Sequence, residues 1–226
     1  LAKAGGVHGT VVSADFQTTG RGRFQRKWVS SNSQNLLLSI LLKPDINQIN
    51  YLNMAASLSV YDVASWATEH KPAIKWPNDV LVEGKKLAGI LVESEMLGRK
   101  LNYVVLGLGI NVNHVPEEHK DISNISTSLE HLTSRKYSRS LILKFLLQRL
   151  NYYYFQIARG ESLTERWSDK LITLGTHINL TRLNDPNETG ISGIAQSVNE
   201  DGSMNIKKSD GTIFVASSGE VTLGKH

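Results

Sequence analysis

The sequence predicts an α+β fold: a mixed, largely antiparallel sheet packed with helices, plus a small C-terminal β-barrel. Three observations carry that prediction. Two stretches repeat apolar residues at spacings of three and four, the period of one helix face. Short β-branched runs joined by Gly turns fill the chain between and before them. After Gly175 the texture changes to short β-type runs at even spacing. With 226 residues the chain can bury one sizeable core and a smaller second one. The expected division is a main domain over 1–174 and the β-barrel over 175–226.

Thr10 to Phe16 is β-branched and bounded by Gly9, so it reads as a strand feeding a Gly-rich loop. Asn35 to Leu42 reads as a second buried strand, ended by Lys43-Pro44. From Ile49 to His70 the positions Leu52, Ala55, Ala56, Val60, Val63, Ala64 and Ala67 mark one face of a core helix. Ala73 to Trp76, Val80 to Val82, Leu87 to Glu93 and Tyr103 to Val112 form a meander, with a hairpin turn at Glu83-Gly84-Lys85. Asn113 to Thr133 is polar and aperiodic, as expected of a mobile loop. Ser140 to Ala158 resumes helical spacing, and its cluster Tyr152 to Phe155 is read as core packing. Four β-type runs follow: Ile178 to Arg182, Ile191 to Val198, Ser203 to Lys207 and Thr212 to Ala216. Asn184-Asp185-Pro186, Glu200-Asp201-Gly202 and Ser209-Asp210-Gly211 turn between them.

Composition narrows the chemistry. The chain has no Cys, which rules out disulfides, a thiolate nucleophile and Cys-ligated zinc. No apolar run approaches the roughly 18 residues of a membrane span, and no leader pattern opens the chain. A soluble, cytoplasmic protein without a membrane partner is expected. The chain starts at Leu1 and its first Met is Met54, so a fragment of a longer protein is expected. The net charge is +4, and the four cations of Arg21-Gly22-Arg23-Phe24-Gln25-Arg26-Lys27 account for all of it. A broad nucleic-acid-binding face would spread its excess charge, so the balance points to one anion site, while a basic arm stays open.

Three stretches carry chemistry. In Gln17 to Trp28, glycines let backbone approach an anion and arginines offer planar forks for phosphate or carboxylate; a solvated basic loop or an RNA-binding arm is the bland alternative. In Lys75-Trp76-Pro77-Asn78-Asp79, Pro77 biases Trp76 towards an extended backbone, and Asn78 and Asp79 project from a corner. There they suit a ribose, a phosphate-bound Mg²⁺ or a turn cap. Lys86 opens an apolar strand, where it either snorkels to solvent or delivers a point charge into a site. In Gly107-Leu108-Gly109-Ile110-Asn111-Val112-Asn113, the last Gly of a dinucleotide fingerprint is replaced by Val112, so a Rossmann reading fails. Glycines inside a strand mean close approach by a packed neighbour or a flat ligand, and Asn111 and Asn113 share a strand face. The seven histidines form no H-E-x-x-H, and neither a G-x-S-x-G elbow nor a P-loop is present. Positioning and electrostatics must carry any reaction.

In this order and spacing the three stretches resemble the catalytic domain of biotin protein ligases, the biotin–acetyl-CoA-carboxylase ligases. Gly20 to Trp28 resembles the family's G-R-G-R-x-G-R-x-W loop, Lys75 to Leu91 its K-W-P-N-D…K-L-x-G-I-L, and Gly107 to Asn113 its G-x-G-I-N-x-N. The C-terminal barrel resembles the family's SH3-like module. The resemblance implies an ATP-dependent, AMP-forming ligase: biotin's carboxylate attacks the α-phosphate of ATP, and a lysine of a biotin carboxyl carrier protein then takes biotin from the adenylate. ATP with Mg²⁺ and biotin are implied as substrates, without a prosthetic group. By matched position, Lys86 and Arg23 are the implied catalytic residues. Gln17, Arg21, Gly22, Arg23 and Lys86 would bind biotin and the adenylate, while Arg26, Trp28, Asn78 and Asn111 would bind the nucleotide. Asp79 would contact Mg²⁺, and Asn113 to Thr127 would order over the intermediate together with the cationic loop.

Two departures qualify the match. Gln25 stands where the family often has Gly, so if that position needs positive φ the loop must bend differently here. A Ser-Thr-Asn element that helps bind biotin upstream of the first strand is absent, so residues 1–226 are expected to form an incomplete biotin pocket. Lipoate or octanoate ligases and transferases of similar fold are the nearest alternative, and a nucleic-acid-binding module using residues 21–27 is the alternative from another class. An exposed sheet edge leaves a homodimer open. DNA binding is expected only if a helix-turn-helix domain precedes Leu1.

Overall fold

A computed structural model describes residues 1–116, 122–181 and 190–224, with the side chain of Gln25 excepted. The larger sheet comprises β1 (Thr10–Ala14), β2 (Leu36–Leu42), β3 (Pro72–Lys75), β4 (Asp79–Val82), β5 (Lys85–Leu97) and β6 (Lys100–Ile110). Their order is β1-β2-β6-β5-β4-β3 and every neighbouring pair is antiparallel. The turn between β4 and β5 has Glu83 and Gly84 both at positive φ (51° and 74°), the conformation a two-residue hairpin needs. Beyond β3, Ile74 N–H donates to the Lys170 carbonyl and accepts Ile172 N–H on its own, which closes that edge.

Helix α1 (Ile49–Ala67) is more enclosed than a one-faced helix. Met54, Ser57, Leu58 and Ser59 are buried along with the expected positions. The reason is tertiary: α1 lies against β3, β4, β5 and β6 on one side and against α3 (Arg139–Ala158) on the other. Ser57 and Ser59 satisfy their hydroxyls by donating to Asn53 and Ala55 carbonyls one turn back. Of the Tyr152 to Phe155 cluster, Tyr153 is buried, its hydroxyl donating to Asp62, whereas Tyr152 and Phe155 are exposed, so only part of it is core.

The 113–133 stretch departs from the expected loop. Residues 117–121, with Glu117, Glu118 and Asp121, lie outside the described residues. Ser126, Thr127, Ser128 and Leu129 are buried, and Ser128 caps a short helix, α2 (Leu129–Thr133), by accepting His131 N–H. Another short helix, α4 (Thr164–Ser168), packs on α1. Both are too brief to show a 3.6 period in sequence.

The C-terminal strands are β7 (His177–Thr181), β8 (Ile191–Val198), β9 (Met204–Lys207), β10 (Ile213–Ala216) and β11 (Glu220–Leu223), in the antiparallel order β10-β9-β8-β7-β11. Arg182 and the Asn184-Asp185-Pro186 turn lie outside the described residues. The two Asp-Gly turns form as expected: Asp201 and Asp210 each accept the N–H two residues on, with Gly202 and Gly211 left-handed. The fifth strand, β11, was not among the four expected. Among the described residues no helix is long and apolar enough to cross a membrane.

Candidate active site

Alternation on β5 and β6 builds the floor of one cavity of about 570 Å³. Gly89, Leu91 and Glu93 pair across the strands with Gly109, Gly107 and Val105, and all six line it, while Val104, Leu106 and Ile110 point into the core behind. Lys86 sits at an even position and would by simple alternation face the core. A bulge corrects this: Val80 pairs with Ala88 but Leu81 pairs with Lys86, so β5 carries one extra residue. Leu87 and Ala88 are both fully buried, and Lys86 turns into the cavity. Its backbone is fixed from the other side, N–H to the Ile125 carbonyl and carbonyl from Thr127 N–H.

The Lys86 ammonium is 2.7 Å from Asp79 Oδ1 and 5.7 Å from the Trp28 ring. Trp28 is the close neighbour that the strand glycines accommodate. A Cβ at Gly109 would come within 2.5 Å of Trp28 Cε2, and one at Gly89 within 3.0 Å of Cζ3. The indole therefore lies on a Gly–Gly depression, and its buried Nε1 has no hydrogen-bond partner among the described residues.

The cationic loop is a narrow hairpin. Trp28 N–H donates to the Gly20 carbonyl and Gly22 N–H to the Arg26 carbonyl, so the Gly22 N–H bonds within the loop. Gly20 is required by space, since a Cβ there would lie 2.5 Å from the Trp28 carbonyl oxygen. The left-handed residue of the loop is Phe24 (φ 53°, ψ 39°), stacked beneath the Arg23 guanidinium. Arg23 donates to Asn78 Oδ1 and to the Gly219 carbonyl, both at 3.2 Å. Burial pushes its pKa down, while Asp79 and Glu220 pull it back up. Arg21 pairs with Glu93 at 3.0 Å, and Arg26 pairs with Glu220.

All ten residues singled out from sequence, Gln17, Arg21, Gly22, Arg23, Arg26, Trp28, Asn78, Asp79, Lys86 and Asn111, line this cavity. Two amides are committed elsewhere. Asn78 Nδ2 donates to the Ile90 carbonyl, and Asn111 Nδ2 to the carbonyls of Thr127 and Lys86, so Asn111 holds the 122–128 segment against β5. Asn113 does not line the cavity, because its amide clamps the backbone of Tyr137 by a bond in each direction. Sequence reasoning missed Glu93, whose place two residues beyond Leu91 on the cavity face follows from strand alternation. It also missed Gly219, Glu220 and Val221, for which no local signal exists. Among the described residues no group of three or more His, Asp or Glu could by itself hold a metal ion.

A cavity floored by an antiparallel sheet and lined by six cationic side chains, Arg21, Arg23, Arg26, Lys27, Lys75 and Lys86, suits a small anionic ligand held by positioning and electrostatics. A model of the biotin/lipoate A/B protein ligase family matches residues 6–111. The chain is 30% identical to the bifunctional ligase/repressor BirA of Bacillus subtilis over 99% of its own length and 69% of that protein's. It is 31% identical to the biotin–acetyl-CoA-carboxylase ligase of Mycobacterium tuberculosis, over 98% and 82%. Among solved structures, the biotin protein ligase from Aquifex aeolicus in complex with biotin and ATP superposes with a TM-score of 0.79 at 31% identity, over 97% of this chain and 90% of that one. The chain belongs to the biotin protein ligases of this family.

Proposed function

We propose that the protein joins biotin to a lysine of a biotin carboxyl carrier protein in two ATP-dependent steps. A biotin carboxylate oxygen bonds to the α-phosphorus of ATP and pyrophosphate leaves. The carrier's lysine amine, having lost its proton, then attacks the carbonyl carbon, and AMP leaves with the bonding electrons. Negative charge gathers first on the phosphoryl oxygens and then on the carbonyl oxygen, so fixed cations aimed at one point are what both steps require. The observation that carries the reading is the convergence of Arg23, Arg26 and Lys86 on a single cavity of about 570 Å³, within the range of roughly 300–1,000 Å³ usual for small ligands.

In this reading Lys86 serves the carboxylate and α-phosphate, and Arg23 helps to hold the adenylate. Gln17, Arg21 and Gly22 border biotin, while Arg26, Trp28, Asn78 and Asn111 border the nucleotide. Mg²⁺ enters with ATP, held chiefly by phosphate oxygens and water. Asp79 is the carboxylate beside it and has Oδ2 to offer, since Oδ1 engages Lys86. Residues 1–174 supply the chemistry, and 175–226 form the SH3-like module. A cytoplasmic setting suits an ATP-dependent enzyme without cysteine. The open side of β1 is where a homodimer would form by strand addition.

The test is exchange of labelled pyrophosphate into ATP. Exchange that requires biotin, followed by labelling of a carrier lysine, is the expected result. Exchange driven by lipoate or octanoate instead would transfer the protein to the neighbouring ligase type, and salt-sensitive RNA binding without a biotin effect would replace the ligase reading.

A further inference from the structure

The larger sheet makes the floor of the cavity, but part of its mouth comes from the far end of the chain. Gly219, Glu220 and Val221 line it, at the start of β11. Glu220 pairs with Arg26, and the Gly219 carbonyl accepts from Arg23. These two groups are rigidly held. Strand β11 is in register with β7, Glu220 opposite Thr181, and Val221 is buried. Gly219 packs so closely that a Cβ would fall 2.5 Å from Leu180 Cδ1. On the loop side, Arg26 N–H donates to the Arg23 carbonyl, so the two arginines belong to a single turn around the left-handed Phe24.

We propose that Glu220, aided by the Gly219 carbonyl, is a positioning residue for the activation step: it parks Arg26, and with it the cationic turn, over the cavity before ATP arrives. The inference rests on the ligase reading. Residues 21–27 carry four cations and no anion of their own, so the turn repels itself and needs counter-charge from outside to stay folded over the site. Glu93 supplies such charge to Arg21 from within the larger sheet. Glu220 supplies it from the second sheet, so the seating of that sheet sets how much ordering the loop still needs when ATP binds. A turn already in place loses less conformational freedom on binding, which lowers the KM for ATP rather than raising kcat.

Glu220→Gln and Glu220→Asp in the full chain test this by two readouts: tryptic cleavage within Arg21–Lys27 without ligands, and initial rates of biotin-dependent exchange at varied ATP. For a half-exposed ion pair the expected size is about threefold, faster cleavage and higher KM in Glu220→Gln with kcat within about twofold, and Glu220→Asp close to native. In about 0.5 M salt the cleavage difference should narrow, which a packing defect would not produce. Native values of either readout in Glu220→Gln overturn the proposal. So does a lowered KM, which would mean that the carboxylate competes with phosphate for Arg26. If the native protein shows no biotin-dependent exchange, the ligase reading fails, while the cleavage comparison still decides whether Glu220 anchors the turn.

Discussion

Lys86 owes its place in the cavity to one extra residue in its strand. The bulge sends Leu87 and Ala88 inward together and leaves the ammonium in the cavity, between Asp79 and the Trp28 ring. Removing one preorganised charge donor from a site of this kind costs about 10²–10³ in rate. Lys86→Ala is accordingly expected to lower biotin-dependent exchange by that factor, and exchange at the native rate would refute the assignment. Arg23 is proposed to have a different task. It reaches Asn78 and Gly219 across the mouth, so Arg23→Gly should shorten the retention of the adenylate and raise labelling of non-cognate lysines. An unchanged half-life of the intermediate in a rapid-dilution experiment would count against that role. The sequence showed that these cations existed and resembled a known set; it did not show that each has a counter-charge or carbonyl as its partner.

Between the strands, the glycines of β6 do unequal work. A Cβ at Gly109 would meet the rigid Trp28 ring at 2.5 Å, whereas at Gly107 the nearest atom is the Leu91 carbonyl oxygen at 3.5 Å, an ordinary contact. Gly109→Ala is expected to destabilise by about 1–3 kcal/mol and to displace the indole, seen as a changed tryptophan emission, whereas Gly107→Ala stays within about 0.5 kcal/mol in urea denaturation. Equal effects of the two substitutions would remove Trp28 as the reason for the glycine. Most strands and both long helices were legible because alternation and 3.6-residue spacing persist over enough residues to be read. Helices α2 and α4, five residues each, and strand β11, four residues, are too short for a period and exist because neighbours hydrogen-bond and cover them.

One apolar core runs from the larger sheet and the helices into the second sheet, and a few polar contacts cross between them as well. The Trp76 indole N–H donates to the Gly202 carbonyl at 2.9 Å, and Glu200 accepts from Ser162, Tyr51 and Thr164 at 2.7, 2.9 and 3.0 Å. Trp76→Phe loses a partly buried hydrogen bond and some volume, so a loss of about 1–3 kcal/mol is expected from the urea midpoint. The hydroxyls of Ser162, Tyr51 and Thr164 hold the Glu200 pKa below its ordinary 4.5. A carboxylate depressed in the folded state adds stability at pH values above its unfolded pKa and loses it as pH falls through the folded one. Glu200→Gln should therefore melt below the native protein at neutral pH, with the gap closing in acid below the ordinary carboxylate value. A gap independent of pH would show that shape, not charge, matters there.

From sequence alone came the α+β class, the places of ten cavity-lining residues, the localisation of the entire +4 charge in one turn, and the resemblance to a ligase family. Each of these is written in local pattern or in spacing along the chain. Only the tertiary structure decided that Trp28 fills the Gly89–Gly109 depression, that Asn113 serves Tyr137 instead of a ligand, and that Glu220 meets Arg26 across nearly the full length of the chain. Contacts between residues so far apart leave no period or motif in the sequence, because they arise from how two sheets seat against each other, and only the folded chain records that.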